Sequence, residues 1–222
     1  MRRLLKRIIS PFLQKASAAY LKKPRKYSYK TISVWVEPTV FPPFITLSTK
    51  IFLEFIETLP LQDKRFLELG CGCGIIAILA AKKGAKVTAT DINPVALKAL
   101  EKNAAANKVT MEIKYADLFN DLGGNDFDYI FINPPYYPKK PASVAESAWF
   151  CGENFEYFEN LFYQLPTYTV AGNKTFMILS QDCALELIER IANKNNMVFA
   201  LVLERKVAGE KNYIYEVSPR PN

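Results

Sequence analysis

The chain has 222 residues, half of them hydrophobic, which is enough to bury one sizeable core and too few for two full domains. It contains no histidine, which removes Ser-His-Asp and Cys-His catalysis, and its four cysteines (Cys71, Cys73, Cys151, Cys183) show no Cys-x-x-Cys spacing, so no metal site is expected. The net charge of +7 is unevenly placed: ten of the 29 Lys and Arg fall within residues 1–36, where there is no acid, so the other 19 face 22 acids, a net of −3.

Residues 1–28 read as a basic arm and residues 29–222 as the folded domain. Such an arm attracts polyanions such as RNA or ribosomes. A solvated amphipathic helix, a membrane-surface helix and a transit peptide are the competing readings. A secretory signal is not expected, because charge breaks the apolar stretch in Leu4-Leu5-Lys6-Arg7-Ile8-Ile9 and Pro11 follows. No run approaches 18 apolar residues, so no transmembrane helix is expected, and unpaired thiols point to a cytoplasmic chain.

From Tyr29 to Val36 β-branched and polar residues alternate, which predicts a short strand. The prolines of Glu37-Pro38-Thr39-Val40-Phe41-Pro42-Pro43-Phe44 predict a rigid loop. Leu47, Ile51, Phe52, Phe55, Ile56 and Leu59 recur at helical spacing until Pro60. Strands and helices then alternate: strand Arg65–Leu69, helix Ile75–Lys83 closed by Gly84, strand Lys86–Thr90, and a helix capped by Asn93 with Pro94 at its first position, running to about Asn107. Met111–Tyr115 and Tyr129–Ile132 read as strands, Phe155–Leu165 as a helix, Phe176–Ser180 as a strand and Cys183–Asn193 as a helix. Met197–Leu203 and Tyr213–Val217 close the chain as strands. This order predicts an α/β fold with a mostly parallel sheet covered on both faces.

The first of the alternating strands runs into Glu68-Leu69-Gly70-Cys71-Gly72-Cys73-Gly74, with a helix immediately after. Glycines there permit a sharp turn and close backbone approach to a ligand. Asp91 ends the next strand, 21 residues after Gly70, where a carboxylate accepts hydrogen bonds from two ribose hydroxyls. A dinucleotide fingerprint requires a third glycine at position 75, which is Ile.

Phe127-Asp128-Tyr129-Ile130-Phe131-Ile132 is a buried-strand pattern ending in Asn133-Pro134-Pro135-Tyr136. An amide or exocyclic amino nitrogen is a poor nucleophile because its lone pair is delocalised. Two acceptors, the Asn133 side-chain oxygen and the Pro134 carbonyl, could hold both N–H bonds and favour a pyramidal nitrogen. That is catalysis by positioning and needs no strong base. Proline-rigid loops make Phe41, Phe44, Pro135 and Tyr136 the candidate substrate pocket, with Tyr136 offering its ring face. Other aromatics, Trp35, Tyr137, Trp149 and Phe150, read singly as packing, and Lys139 and Lys140 as solvated loop charges.

The Gly-x-Gly-x-Gly loop with acidic Glu68 resembles motif I of class I S-adenosylmethionine-dependent methyltransferases. The resemblance implies a Rossmann-like, seven-stranded sheet with an antiparallel C-terminal strand, and S-adenosylmethionine as cofactor. It places the cofactor against Glu68, Gly70, Gly72, Gly74, Asp91, Ile92, Asp117, Leu118 and Asn133, with Asp117 reading the adenine amino group. The catalytic residues become Asn133, Pro134 and Tyr136. Asn-Pro-Pro-Tyr, together with Thr90-Asp91-Ile92-Asn93-Pro94 and Val40-Phe41-x-Pro, is similar to the HemK-like family of release-factor glutamine methyltransferases. Ser147-Ala148-Trp149-Phe150-Cys151-Gly152-Glu153-Asn154 resembles that family's Ala-Trp-x-Gly-Gly segment, with Cys151 in place of the first glycine. Phe44-Ile45 stand where relatives often carry acidic residues. The implied substrate is a glutamine side chain of a translation release factor. Adenine N6 in RNA, favoured by the basic arm, and a non-catalytic cofactor-binding scaffold are the alternatives.

Overall fold

The computed structural model describes residues 22–120, 122–124, 126–207 and 209–221; most of the basic arm, residues 1–21, lies outside them. A hairpin comes first, β1 (Arg25–Tyr29) and β2 (Ile32–Val36), followed by helix α1 (Ser48–Glu57). Strands and helices then alternate as β3 (Arg65–Leu69), α2 (Ile75–Lys82), β4 (Lys86–Asp91), α3 (Pro94–Ala106), β5 (Glu112–Tyr115), β6 (Tyr129–Ile132), α4 (Glu156–Gln164), β7 (Lys174–Ser180) and α5 (Leu185–Lys194). The long antiparallel pair β8 (Met197–Val207) and β9 (Glu210–Pro219) completes the order.

Seven strands form one sheet in the order β5-β4-β3-β6-β7-β9-β8. The first five run parallel, and β9 inserts antiparallel between β7 and β8. Alternating side chains divide the core in two. Phe66, Tyr129, Phe131, Phe176 and Ile214 face α1, α2 and α3, whereas Leu67, Leu69, Ile130, Ile132 and Met177 face α4 and α5. Phe131 is the hub of the first layer, with ring centroids 4.8 Å from both Phe52 and Phe66.

One element departs from the sequence pattern. The single strand predicted over Tyr29–Val36 is the end of one strand and the whole of another, because the chain reverses at Lys30-Thr31. Lys30 adopts φ 51° there, a conformation normally left to Gly or Asn, so no turn residue announced it. Arg25 to Ser28, drawn into the arm on charge, are therefore the first four residues of β1. Inward-facing Ile32, Val34 and Val36 are buried and join the first core layer.

The glycine loop shows why its last member must lack a side chain. Gly74 has φ 75°, and a Cβ there would sit 2.1 Å from Cδ1 and 3.0 Å from Cγ of the fully buried Leu100 on α3. Gly74 thus sets how closely α2 approaches α3. Gly74→Ala should cost at least about 2 kcal/mol through left-handed backbone and overpacking together. Gly123→Ala, also at positive φ but with nothing within 4 Å, should cost about 1 kcal/mol. Urea unfolding of both variants checks the contrast.

Candidate active site

Strand register brings the predicted residues together. Leu69 is opposite Thr90 on β4 and Ile132 on β6. Gly70, Asp91 and Asn133 therefore leave the sheet side by side at the carboxyl ends of three neighbouring strands. Asp91 is in turn opposite Tyr115, which sets Asp117 and Leu118 beyond the end of β5. The connections diverge on either side of β3, the switch point where ligands bind in such sheets. A cavity of about 650 Å³ opens there, within the size range of small-molecule sites.

Glu68, Gly70, Gly72, Asp91, Ile92, Asp117, Leu118 and Asn133 all line it, as do Phe41, Pro134, Pro135 and Tyr136. Two predicted residues do not. Gly74 faces Leu100, as described above, and Phe44 lies outside the cavity with its ring centroid 6.4 Å from that of Tyr27. Ile45, the other half of the departure from the family pattern, is exposed and likewise absent from the lining.

The glycine loop carries its own anchors. Cys71 N–H donates to the Thr90 carbonyl at 2.8 Å, and Gly72 N–H donates to Asp91 Oδ2 at 2.8 Å. Asp91 Oδ1 accepts from Asn93 N–H at 2.8 Å, so this carboxylate organises the loop as well as facing the cavity. Gly70 has φ 74° and nothing within 4 Å of where its Cβ would stand, leaving open space above the loop. Glu68 lies beneath. It is 5% exposed, and its Oε2 accepts from Ala77 N–H at 2.8 Å, so it caps the amino end of α2 from outside the helix.

Burial pushes the Glu68 carboxyl well above the usual range, against the Ala77 hydrogen bond and with help from the Asp91 charge. Asp91 is also raised, again by burial first. Burial likewise drives the Cys71 thiol up, and Cys73 to about 12, so both stay protonated and neither is a nucleophile. Leu118 holds φ 54°, an uncommon conformation for a residue with a side chain, at the point where the chain leaves the cavity after Asp117.

The Asn-Pro-Pro-Tyr loop is buttressed from downstream. Tyr137 N–H donates to the Trp149 carbonyl (3.1 Å), Cys151 N–H to the Tyr137 carbonyl (3.0 Å) and Gly152 N–H to the Lys139 carbonyl (3.1 Å). Gly152 holds φ 92°, a conformation that side-chain-bearing residues rarely adopt, and a Cβ there would displace the Glu156 carboxylate, whose Oε2 stands 1.8 Å away. Cys151 has room: its side chain is buried in the second core layer, and its Sγ lies 3.4 Å from the Tyr137 carbonyl. Of the two glycines in the resembling segment, the second is the one whose backbone conformation favours glycine here. Lys139 lies over the Phe150 ring at 4.4 Å, and Lys140 lines the cavity.

Residues beyond the predicted set also line the cavity, among them Tyr137 and Phe150, and three bear on its shape. Trp149 meets Phe41 across the cavity at 4.9 Å between ring centroids. Tyr157, in the first turn of α4, lines the cavity with its phenol raised by burial, and Val40 also lines it. Trp149 was named only within a motif and grouped with packing aromatics. Val40 stands in the Val40-Phe41-x-Pro motif without a role of its own there, and Tyr157 carries no local signal, because it reaches the site through tertiary packing.

The raised Glu68 value has a sign. A carboxyl whose folded value exceeds its unfolded one binds more protons when folded, so its contribution is fully present below the ordinary carboxylate range and is lost as pH rises through the raised value. Glu68→Gln keeps an acceptor for Ala77 N–H and removes the charge. Its melting temperature should exceed the parent's at neutral pH and converge on it on acidification; a pH-independent difference would contradict this.

Residues 32–149 match the methyltransferase small domain family. A Methanocaldococcus jannaschii chain provisionally named a protein N5-glutamine methyltransferase is 39% identical over 50% of this chain and 59% of its own length. The ribosomal RNA small subunit methyltransferase C of Haemophilus influenzae is 32% identical over 51% of this chain and 35% of its own. The release factor glutamine methyltransferase of Chlorobaculum tepidum is 31% identical over 54% and 47%. The chain thus spans about a third to three-fifths of these relatives. Among solved structures, a Pyrococcus furiosus methyltransferase superposes with TM-score 0.62 at 21% identity, over 93% of this chain and 98% of that one. A Thermus thermophilus 16S rRNA N2 G1207 methyltransferase, solved with AdoMet and guanosine, gives TM-score 0.64 at 20% identity over 87% and 50%. At these identities the structural likeness is one of fold, and it agrees with the sheet order described above. With the family model covering more than half of the residues, the chain belongs to the methyltransferase small domain family.

Proposed function

We propose that this chain is an S-adenosylmethionine-dependent N-methyltransferase acting on a planar amide or exocyclic amino nitrogen, with the side-chain amide of a glutamine in a translation release factor as its first substrate. One observation carries the reading. Among the described residues, the Asn133 side chain and the Pro134 carbonyl have no protein hydrogen-bond partner, although both line the cavity beside the glycine loop. Two open acceptors on a proline-fixed loop are what a nitrogen with two N–H bonds requires.

The donor set suits the cofactor. Gly70 leaves space for a close backbone approach, and the Asp91 carboxylate can accept from ribose hydroxyls and place negative charge near a cationic ligand. Bound there, S-adenosylmethionine supplies an electrophilic methyl group. Asn133 Oδ1 and the Pro134 carbonyl hold the acceptor nitrogen and draw its substituents out of plane, which is stabilisation realised mainly in the transition state. Tyr136 and the Phe41–Trp149 pair wall a flat acceptor. Burial keeps the Cys71 and Cys73 thiols and the Tyr136 phenol neutral, so positioning carries the rate and no cavity thiolate or phenolate acts as base.

Relatives named as protein glutamine methyltransferases support the amide substrate. The acid-free, basic residues 1–36 and the relative named as a ribosomal RNA methyltransferase favour RNA as the second reading. A cytoplasmic setting belongs to the same proposal and is supported by four free, buried cysteines.

Radiolabelled cofactor with a whole lysate tests both. Label in a protease-sensitive band of release-factor size supports the glutamine reading, and label in an RNase-sensitive fraction replaces it with RNA. Asn133→Ala should lose at least about 100-fold in transfer while cofactor affinity stays within a few-fold. Full activity in that variant sinks the mechanism, and an inert parent chain that still binds the cofactor would make it a scaffold.

A further inference from the structure

Among the described residues, β2 pairs with β1 on one side, and its other edge is met by side chains instead of a strand. Asn103 and Asn107 stand one turn apart on α3. Trp35 N–H donates to Asn103 Oδ1 at 2.8 Å, and Asn103 Nδ2 donates to the Trp35 carbonyl at 2.9 Å. Ser33 repeats the pattern with Asn107, at 3.2 Å and 2.7 Å. Four residues of helix advance about 6 Å and two residues of strand about 6.7 Å, so two amides spaced by four can serve two strand residues spaced by two. Farther along, Asn93 Nδ2 donates to the Thr39 carbonyl at 2.9 Å. Three asparagines of one helix and its cap thus hold residues 33–39.

The two strand-pairing amides are not equivalent. Asn103, 2% exposed, also donates to the Cys73 carbonyl at 3.0 Å, inside the glycine loop. Asn107 makes its remaining bond to the Asn103 carbonyl within the helix (2.8 Å). One planar, buried amide therefore joins the N-terminal segment to the glycine loop. The same segment packs on that loop at Val40, whose Cγ1 lies 3.7 Å from where a Gly72 Cβ would be, and it delivers Thr39, Val40 and Phe41 to the cavity wall.

We propose that Asn103 is a positioning residue that couples docking of residues 33–41 to occupancy of the glycine loop, so that a cofactor-class ligand tightens both together. The coupling rests on the reading that this loop holds an S-adenosyl ligand. Removing the Asn103 amide takes this partner from the buried Cys73 carbonyl on one side and from the part-buried Trp35 carbonyl and N–H on the other, so loop and segment lose their common partner. Linkage makes the effect reciprocal: a ligand that orders the loop also orders the segment.

Hydrogen exchange at the Trp35 and Ser33 amides of the full chain, with and without saturating S-adenosylhomocysteine, tests it. Ligand should slow Trp35 exchange in the parent by about tenfold. Asn107→Ala should keep that slowing at Trp35. Asn103→Ala should lose it and bind the ligand about tenfold more weakly by calorimetry. Equal ligand-dependent slowing in the parent and Asn103→Ala, or unchanged affinity in a folded Asn103→Ala, overturns the coupling. Should Asn103→Ala not fold, the parent decides alone: ligand that binds with Trp35 exchange unchanged overturns it, and slowed exchange supports it. A parent chain that binds no S-adenosylhomocysteine overturns the cofactor reading and the coupling with it, an outcome distinct from binding without protection.

Discussion

The parallel register of β3 against β4 and β6 is the constraint on which the site depends. Leu69 lies opposite both Thr90 and Ile132, so three loops leave the sheet at one level. A one-residue slip in either pairing would exchange the side chains of the two core layers and separate the loops. The slip is resisted by burial on both sides, with Phe66 and Phe131 stacked in one layer and Leu67, Ile130 and Ile132 filled into the other. Core packing thereby sets the spacing between the glycine loop, Asp91 and Asn133.

Around that level the chain builds a site in which few groups serve one purpose. Glu68 caps a helix and lines the cavity. Asp91 holds the Gly72 and Asn93 amides and faces the same space. Burial raises both carboxyls, which is the cost of placing ionisable groups beneath the glycine loop. Leu118 in a left-handed conformation adds local strain at the far wall. The opposite wall is less polar, made by Phe41, Trp149 and Tyr136 and held by backbone bonds between the Asn-Pro-Pro-Tyr loop and residues 149–152.

Much of this was legible in the sequence where local pattern and tertiary demand agree. β3 and β6 were read to the residue because strands buried on both faces are continuous apolar runs bounded by loop signals. The cap of α3 was legible because Asn93-Pro94 is local chemistry, and the Asn93 side chain accepts from Val95 N–H at 3.0 Å. The turn at Lys30-Thr31 was not, since alternation continues through it and Lys30 is forced into its conformation by the hairpin. Gly74 and Phe44 were assigned to the site by motif and loop position, but Gly74 serves helix packing and Phe44 meets Tyr27. Tyr157 and the amide clasp of Asn103 arise from contacts distant in sequence, which no local spacing encodes.

The central claim, that one level of the sheet presents a cofactor loop and an acceptor-holding loop to each other, has a direct test in a crystal structure of the chain grown with S-adenosylhomocysteine. The account predicts the ligand along Gly70 to Gly72, its ribose hydroxyls on Asp91, its adenine beside Asp117 and Leu118, and its sulfur facing Asn133. Ligand bound elsewhere, or bound in this cavity with its sulfur directed away from Asn133, would contradict it.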